Sequence, residues 1–493
     1  MHRTLSRGYI MSACRRVSVL GLDGLCWWFL NKLFEKGAMP YTKRVVYKAY
    51  NYILEAAFPP MTYPSWTSIM TGVNPGKHGI FNFTYVDRSY RPSLIFKLFH
   101  ALHLEHPRIH EILAMMGKRS LVINAIPGYP IIPMNRLYVI NSAFTPKIMY
   151  YPDCMRSYAI KLRASEKKKK ENLDMAIKNV MDYLGIVEDT IDKFSWDLYW
   201  IMLHYPDEMI HKFPTALLRM DLSVIKIFKL IDKIVELLAS RSDALIIVSD
   251  HGFSKFSLAV SINDILLEHG LIEVRPPRSK VNAFKTKASI TVTKYVEKIP
   301  VFARILWAIY AHLRAKFNVQ VSYGKIDYEK SLAYMAKAQF YGIHLNKRDI
   351  ATKVKEILKQ YKGIKWVKTP KEVYKGPYIS RAPDLLVMPD FDKGYKLASA
   401  KIHGAKYIAV DDYGHHPEGV LSVHCPDFTL STTENKVPAW IVAPLILSIL
   451  NIPLSHVTDD VDILEKITGT NIARKNYVAK WKIIRNMYKI KRI

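Results

Sequence analysis

Cysteine is scarce in this chain of 493 residues, and none of it is paired by spacing. Cys14, Cys26, Cys154 and Cys425 are scattered, which argues against a disulfide framework and a cysteine-type zinc finger and fits a reducing compartment. A secretory leader is missing: Met1 to Arg16 is basic but holds no apolar stretch of about 7–15 residues, and Met11 offers a second start. The longest apolar run, Val437 to Leu450, is interrupted by Pro438 and Pro444 and falls short of the ~20 residues that a spanning helix needs. The expectation is a cytoplasmic protein. Acids are few, 43 against 72 Lys and Arg, giving a formal charge of +29. Such a surface attracts phosphorylated metabolites, nucleic acid or an anionic membrane. A thermophile's lysine-rich surface would give the same excess without any partner, and the sparing use of glutamine (Gln320, Gln339, Gln360) leans that way.

Apolar residues make up 49% of the chain and aromatics 12%, enough for a sizeable core. Short aliphatic runs at Val17–Leu22, Leu121–Asn124, Leu198–Leu203 and Leu245–Ser249 end in polar or turn residues. Helical patterns lie between them: Trp27 to Glu35, Leu173–Ile186, Leu217–Leu238. This alternation predicts an α/β fold with a doubly wound, mostly parallel sheet. Leu385–Met388 reads as one more strand of it. The interval from Lys255 to Ala382 is lysine-rich, carries the breaker cluster Arg275-Pro276-Pro277-Arg278 and one basic amphipathic helix, Val301 to Phe317, and reads as an inserted cap. The run Lys167–Lys170 reads as a solvated helix start or loop. The expected division is therefore a core over 15–254, a cap over 255–382, the rest of the core over 383–465, and a basic tail over 466–493.

In open α/β sheets, function gathers at the carboxyl ends of the strands. Those ends carry Asp23, then Asp207 and His211 at a spacing that puts both on one helix face, then Asp250-His251-Gly252. Gly414-His415-His416-Pro417 adds imidazoles late in the chain. Asp oxygens and His nitrogens suit zinc, and also manganese. A lone Asp or His at a strand end is more often a cap or a satisfied hydrogen bond, but four such clusters are hard to explain that way. A second signal is the proline-fixed loop Phe58-Pro59-Pro60-Met61-Thr62-Tyr63-Pro64-Ser65, with a helix expected to start near Ser65. A hydroxyl there lies by a helix amino terminus, where N–H groups and the dipole favour a phosphate anion. Threonine is a poor nucleophile unless a metal or base lowers its pKa, which ties this loop to the acid and histidine clusters.

In this order, Asp23, Thr62-Tyr63-Pro64, Thr71-Gly72…His78-Gly79, Asp207-x-x-x-His211, Asp250-His251-Gly252 and His415-His416-Pro417-Glu418-Gly419 resemble the alkaline phosphatase superfamily. Within it, the pattern is similar to the type I phosphodiesterase/nucleotide pyrophosphatase family, from about Val17 to Leu464. Gly117-Lys118…Ile123-Asn124 and Ala382-Pro383-Asp384-Leu385-Leu386 support it. The resemblance implies two divalent metals, zinc or manganese: Asp23, Thr62, Asp250 and His251 would hold the one that activates Thr62, and Asp207, His211 and His415 the other. His416 would face the substrate or support His415. Nucleotide pyrophosphatases carry an asparagine three residues after the His-Gly-Ile motif; here Phe83 stands there and Asn82 one place earlier, so Asn82 is the candidate substrate contact.

The implied activity is hydrolysis of small phosphate esters, foremost diesters, through a phospho-threonine. A phosphomonoesterase or phosphotransferase would use the same core. A sulfatase is disfavoured, since the Cys-x-Pro-x-Arg signature is missing. A nucleic-acid or membrane-binding protein would explain the charge but not the seven ligand positions, and no obligate nucleic-acid partner is expected. The tail from Arg474 to Ile493 carries eight Lys and Arg and no acid. On a helix, Tyr477, Trp481, Ile484 and Tyr488 form one apolar stripe, which would either lie weakly on an anionic membrane or dock on the protein's own surface, the expected outcome.

Overall fold

The computed structural model describes residues 14–87, 94–142, 144–166, 172–275, 325–431 and 434–490. The Lys167–Lys170 run, the helix expected at Val301 to Phe317 and the cluster's Pro276 to Arg278 lie outside them. Two compact units emerge: a larger one of Met1–Ile80, Phe99–Phe253 and His415–Ile493, and a smaller one of Phe81–Leu98 and Ser254–Gly414.

The larger unit is built on a nine-stranded sheet. In chain order its strands are β1 (Val17–Leu22), β2 (Tyr50–Glu55), β3 (Ser120–Ile123), β4 (Leu137–Asn141), β5 (Met149–Tyr151), β6 (Leu198–Leu203), β7 (Ala244–Val248), β8 (Glu418–His424) and β9 (Lys436–Pro438). Across the sheet they run β9-β2-β8-β7-β1-β6-β3-β4-β5. β7, β1, β6, β3 and β4 are mutually parallel, with Val17 opposite both Leu198 and Ala244. β1, β6 and β7 are buried throughout, as strands covered on both faces must be. β8 runs against its neighbours β7 and β2. It therefore starts where the parallel strands end, and His415, at the end of the strand Tyr407–His416, arrives at their carboxyl ends just ahead of β8.

The helix Thr62–Thr71 is buried along its whole length. It starts at Thr62, earlier than Ser65, and takes Pro64 into its first turn, where a missing N–H costs nothing. Its Trp66 meets Trp200 of β6 edge to face at 6.2 Å between ring centroids. Burying an indole of this kind contributes about 4–6 kcal/mol. The close approach needs Gly21 in β1: a Cβ there would lie 2.5 Å from Trp66 Cη2. The long helix expected over Leu217–Leu238 is two helices, Pro214–Arg219 and Leu222–Arg241, because Met220 is left-handed at φ 60°.

The smaller unit holds an antiparallel four-stranded sheet in the order Ala333–Met335, Gly342–Leu345, Leu385–Pro389, Ile364–Lys368. Leu385–Pro389 thus belongs to this sheet and not to the main one. The unit accordingly ends at Gly414, not at residue 382, and takes in Phe81–Leu98. The mismatch has a simple cause: a short apolar strand carries no mark of which sheet it joins. The helices Ile262–Glu268 and Ala351–Lys359 bring Ile265, Leu266, Val354 and Leu358 into its core, with Ile343 and Val387.

The tail forms the helix Val478–Ile490 and docks on the larger unit. Tyr477 and Trp481 are buried, the Tyr477 hydroxyl donates to Pro453 O at 2.9 Å, and Arg485 donates to Leu104 O. Ile483, Met487 and Ile490 lie outward. No helix among the described residues is long and apolar enough to cross a membrane.

Candidate active site

The carboxyl ends of β1, β6 and β7 bring the sequence clusters into contact. Asp23 follows β1, and its backbone joins the β6 side twice: its N–H donates to Leu203 O, and its carbonyl accepts from Asp207 N–H. Gly24 completes the turn at φ +75°, a conformation that glycine adopts without strain. Its N–H donates to Asp250 Oδ1 at 3.3 Å, and a Cβ on it would sit 2.9 Å from Asp207 Cβ. One turn therefore sets two of the acids.

Two overlapping groups of donor atoms result, Asp23, Asp250 and His251 in one, Asp207, His251 and His415 in the other, each with all its atoms within 4.8 Å. His251 Nε2 lies 3.5 Å from Asp23 Oδ1 and 3.3 Å from Asp250 Oδ2. Asp207 Oδ1 lies 3.2 Å from His415 Nε2 and 3.3 Å from His211 Nε2, and those two nitrogens are 3.0 Å apart. The helix Asp207–Lys212 does put its acid and histidine on one face.

Both inner imidazoles are held from behind by backbone carbonyls: His251 Nδ1 by Gly252 O at 3.0 Å and His415 Nδ1 by Pro60 O at 3.1 Å. A carbonyl only accepts, so each ring carries its proton on Nδ1 and turns the Nε2 lone pair toward the acids. Asp23 Oδ1, Asp207 Oδ1, Asp250 Oδ2 and His251 Nε2 are buried and make no hydrogen bond among the described residues. Four orphaned donor atoms facing one another would cost several kcal/mol in a finished site. A divalent cation resolves that cost, and the mixed oxygen and nitrogen set fits one.

The electrostatics carry the same imprint. Burial and the adjacent Asp23 push the Asp250 carboxyl well above the usual carboxylate range. Burial opposes charge on Asp207, but His415, His211 and His251 outweigh it and hold that carboxyl well below its ordinary value. Burial and His415 bring His251 down to about 4. His415 is itself raised, since Asp207 and Asp23 overcome its burial.

Thr62 is buried at the first residue of its helix, two residues after the Pro60 carbonyl that holds His415. No side chain caps that helix start, and its first turn holds no acid. The neighbouring hydroxyls are occupied: Thr67 Oγ1 donates to Tyr63 O at 2.6 Å and Ser68 Oγ meets His78 Nε2 at 2.9 Å. His416 is half-buried and accepts from Glu418 N–H at 3.3 Å. Asn82 is buried in the smaller unit, where its amide donates to Gln339 O and its carbonyl accepts from Phe83 N–H.

Two neighbours escaped the sequence reading. His204 Nδ1 is 3.3 Å from Asp23 Oδ2 and steadies that acid. It stands in the run His204-Tyr205-Pro206-Asp207 directly after β6, where its position could have drawn notice. Phe144 is 46% exposed, left-handed at φ 51°, and meets His204 and Tyr63 edge to face at 4.7 and 6.3 Å. No pattern in the sequence marks it.

Solved structures share this architecture at low identity. Phosphonoacetate hydrolase from Sinorhizobium meliloti 1021, in complex with phosphonoformate, aligns over 89% of this chain and 97% of its own, with 15% identity and a TM-score of 0.59. Murine ectonucleotide pyrophosphatase/phosphodiesterase 5, an inactive form in complex with AMP, aligns over 92% and 100%, with 14% identity and a TM-score of 0.52. The human counterpart aligns over 92% and 99%, with 16% identity and a TM-score of 0.51. Among curated proteins none matches the sequence. The sequence model of one family, type I phosphodiesterase/nucleotide pyrophosphatase, matches residues 17–414. With most of its length so matched and the alkaline-phosphatase-like fold around the site, the chain belongs to the type I phosphodiesterase/nucleotide pyrophosphatase family and is a phosphoric ester hydrolase.

Proposed function

We propose that the chain hydrolyses small phosphate diesters by in-line attack of Thr62, through a phospho-threonine. The single observation that carries this reading is the set of orphaned donor atoms on Asp23, Asp207, Asp250 and His251, beside a His415 held by Pro60 O, two residues before a threonine at a helix start.

Asp23, Asp250, His251 and Thr62 would hold one divalent cation, and Asp207, His211 and His415 a second. Zinc suits the set, and manganese is the alternative. When bound, such cations supply positive charge that lowers the pKa of a hydroxyl and neutralises phosphate oxygens. The protein does the positioning. The start of the Thr62–Thr71 helix receives the phosphoryl group on its N–H groups and dipole. Thr62 Oγ1 gives up its proton and attacks phosphorus, the bond to the alcohol oxygen on the opposite side breaks, and that oxygen takes up a proton. Water then cleaves the phospho-threonine, which still carries the other ester group, to release a monoester and restore the hydroxyl. Pro60 O and Gly252 O keep the two Nε2 atoms turned inward throughout, and His204 steadies Asp23. Phe144 offers an exposed aromatic wall beside Tyr63 and His204 on which a flat or apolar substrate group would pack.

A panel of chromogenic phosphate mono- and diesters, assayed after chelation and again with each metal restored, tests the proposal. Diester turnover restored by zinc or manganese supports it. Faster turnover of monoesters would move the assignment to a phosphomonoesterase, and turnover indifferent to chelation would remove the metal-dependent mechanism.

A further inference from the structure

Cys14 and Cys425 are 411 residues apart, yet both are buried and their Sγ atoms are 3.4 Å from each other. The sheet explains the meeting. Val17 of β1 pairs with Ala244 at the start of β7, and His424, the last residue of the reversed β8, pairs with Leu245. The residues just before β1 and just after β8 therefore share the amino-terminal edge of β7, opposite the acid and histidine cluster. The other thiols are apart: Cys26 is buried against Phe253 O, and Cys154 is exposed.

We propose that Cys14 and Cys425 form an intrachain disulfide that clamps the start of β1 to the end of β8. The sulfurs need to close by about 1.3 Å to reach a bond of ~2.05 Å. The hydrogen bond with Cys425 holds the Cys14 thiol below its ordinary value, which favours it as the attacking group. With glutathione disulfide as oxidant, the Cys14 thiolate attacks one glutathione sulfur and releases the first glutathione thiol. Cys425 then gives up its proton, attacks Cys14 Sγ in the mixed disulfide and displaces the second. The protein thiols lose two electrons and two protons, which leave as two glutathione thiols.

The test uses the full chain with glutathione disulfide, followed by alkylation, digestion without reductant and mass spectrometry. The expected product is a linked peptide pair carrying Cys14 and Cys425, lighter than the two free peptides by two hydrogen atoms, with Cys26 and Cys154 alkylated. Because the bond closes most of the chain into one loop, the melting temperature should rise by roughly 5 °C over the reduced protein. Cys425→Ser should abolish the oxidant-dependent rise and Cys154→Ser should keep it. Complete alkylation of Cys14 and Cys425 after oxidation, a different pairing, or a linked chain that melts no higher would overturn the proposal. Should Cys425→Ser fail to fold, the peptide map of the unsubstituted chain decides alone.

Discussion

His251 and His415 stack with ring centroids 3.8 Å apart and planes 20° from parallel, each anchored at Nδ1 by a backbone carbonyl. Two imidazoles from distant parts of the chain thus present their Nε2 atoms to the same group of carboxylates. Loss of either ring should lower metal content. His415→Ala or Asp207→Ala should bind one equivalent fewer than the unsubstituted protein and lose most turnover while remaining folded, as elemental analysis and circular dichroism would record. Two full equivalents in either variant would refute the ligand assignment.

Asp250→Asn offers a test of opposite sign. Asp250 and Asp23 are buried within 4.8 Å of His251 Nε2 and of each other, so without a cation their charges repel. In chelator, the variant should melt no lower than the parent, and higher if repulsion dominates. With saturating metal the parent should gain about 2–4 kcal/mol and the variant much less. A variant that melts well below the parent in chelator would show that Asp250 stabilises the metal-free fold.

Gly21→Ala should couple stability to catalysis. The added methyl would meet Trp66 Cη2 at 2.5 Å and Met202 Cγ at 3.1 Å. Overpacking of this kind costs about 1–3 kcal/mol, and here it presses on the helix that begins with Thr62. Thermal melting and diester turnover should both fall; an unchanged kcat would mean that the helix start absorbs the strain.

Acid should destabilise the larger unit through buried neutral histidines. Burial lowers His106 to about 4 and His110 to about 3, and holds His78 well below its ordinary value. An unfolded histidine titrates near 6.5. Below that pH the unfolded chain binds protons that the folded chain refuses, so the stabilisation is complete above about 6.5 and is lost as pH falls through 4. For His106 the difference amounts to about 3 kcal/mol. Urea titrations between pH 7 and 4 should show a falling midpoint, and His106→Asn should flatten the slope. A midpoint level across this range would contradict the buried neutral state.

The candidate site residues were legible in the sequence where a local spacing groups acids with histidines. Asp207 and His211 announce themselves at i, i+4, and Asp250-His251-Gly252 marks a turn after an aliphatic strand. What brings His415 to them was not legible, since the reversed direction of β8 is a property of the sheet and not of its residues. The same blindness hid the Cys14–Cys425 contact and sent Leu385–Pro389 to the wrong sheet. The tail shows a third limit. Periodicity finds the stripe of Tyr477 and Trp481 and leads to the expectation that it docks, but it gives no partner; the packing supplies Pro453 and Leu104 and leaves Ile483, Met487 and Ile490 outside. Trp481→Ala should accordingly cost about 3–5 kcal/mol of stability, read by denaturant midpoint.

Thr62 as nucleophile is tested most directly by acid-quenching the metal-loaded protein during diester turnover and fragmenting the peptide that contains residues 62–68. The expected result is one phosphoryl group on Thr62, still esterified to the alcohol that the substrate retains, enriched in His415→Ala and lost in Thr62→Ala together with at least about a thousandfold of turnover. A phosphoryl group on Ser65, Thr67 or Ser68 instead, or near-normal turnover by Thr62→Ala, would contradict it.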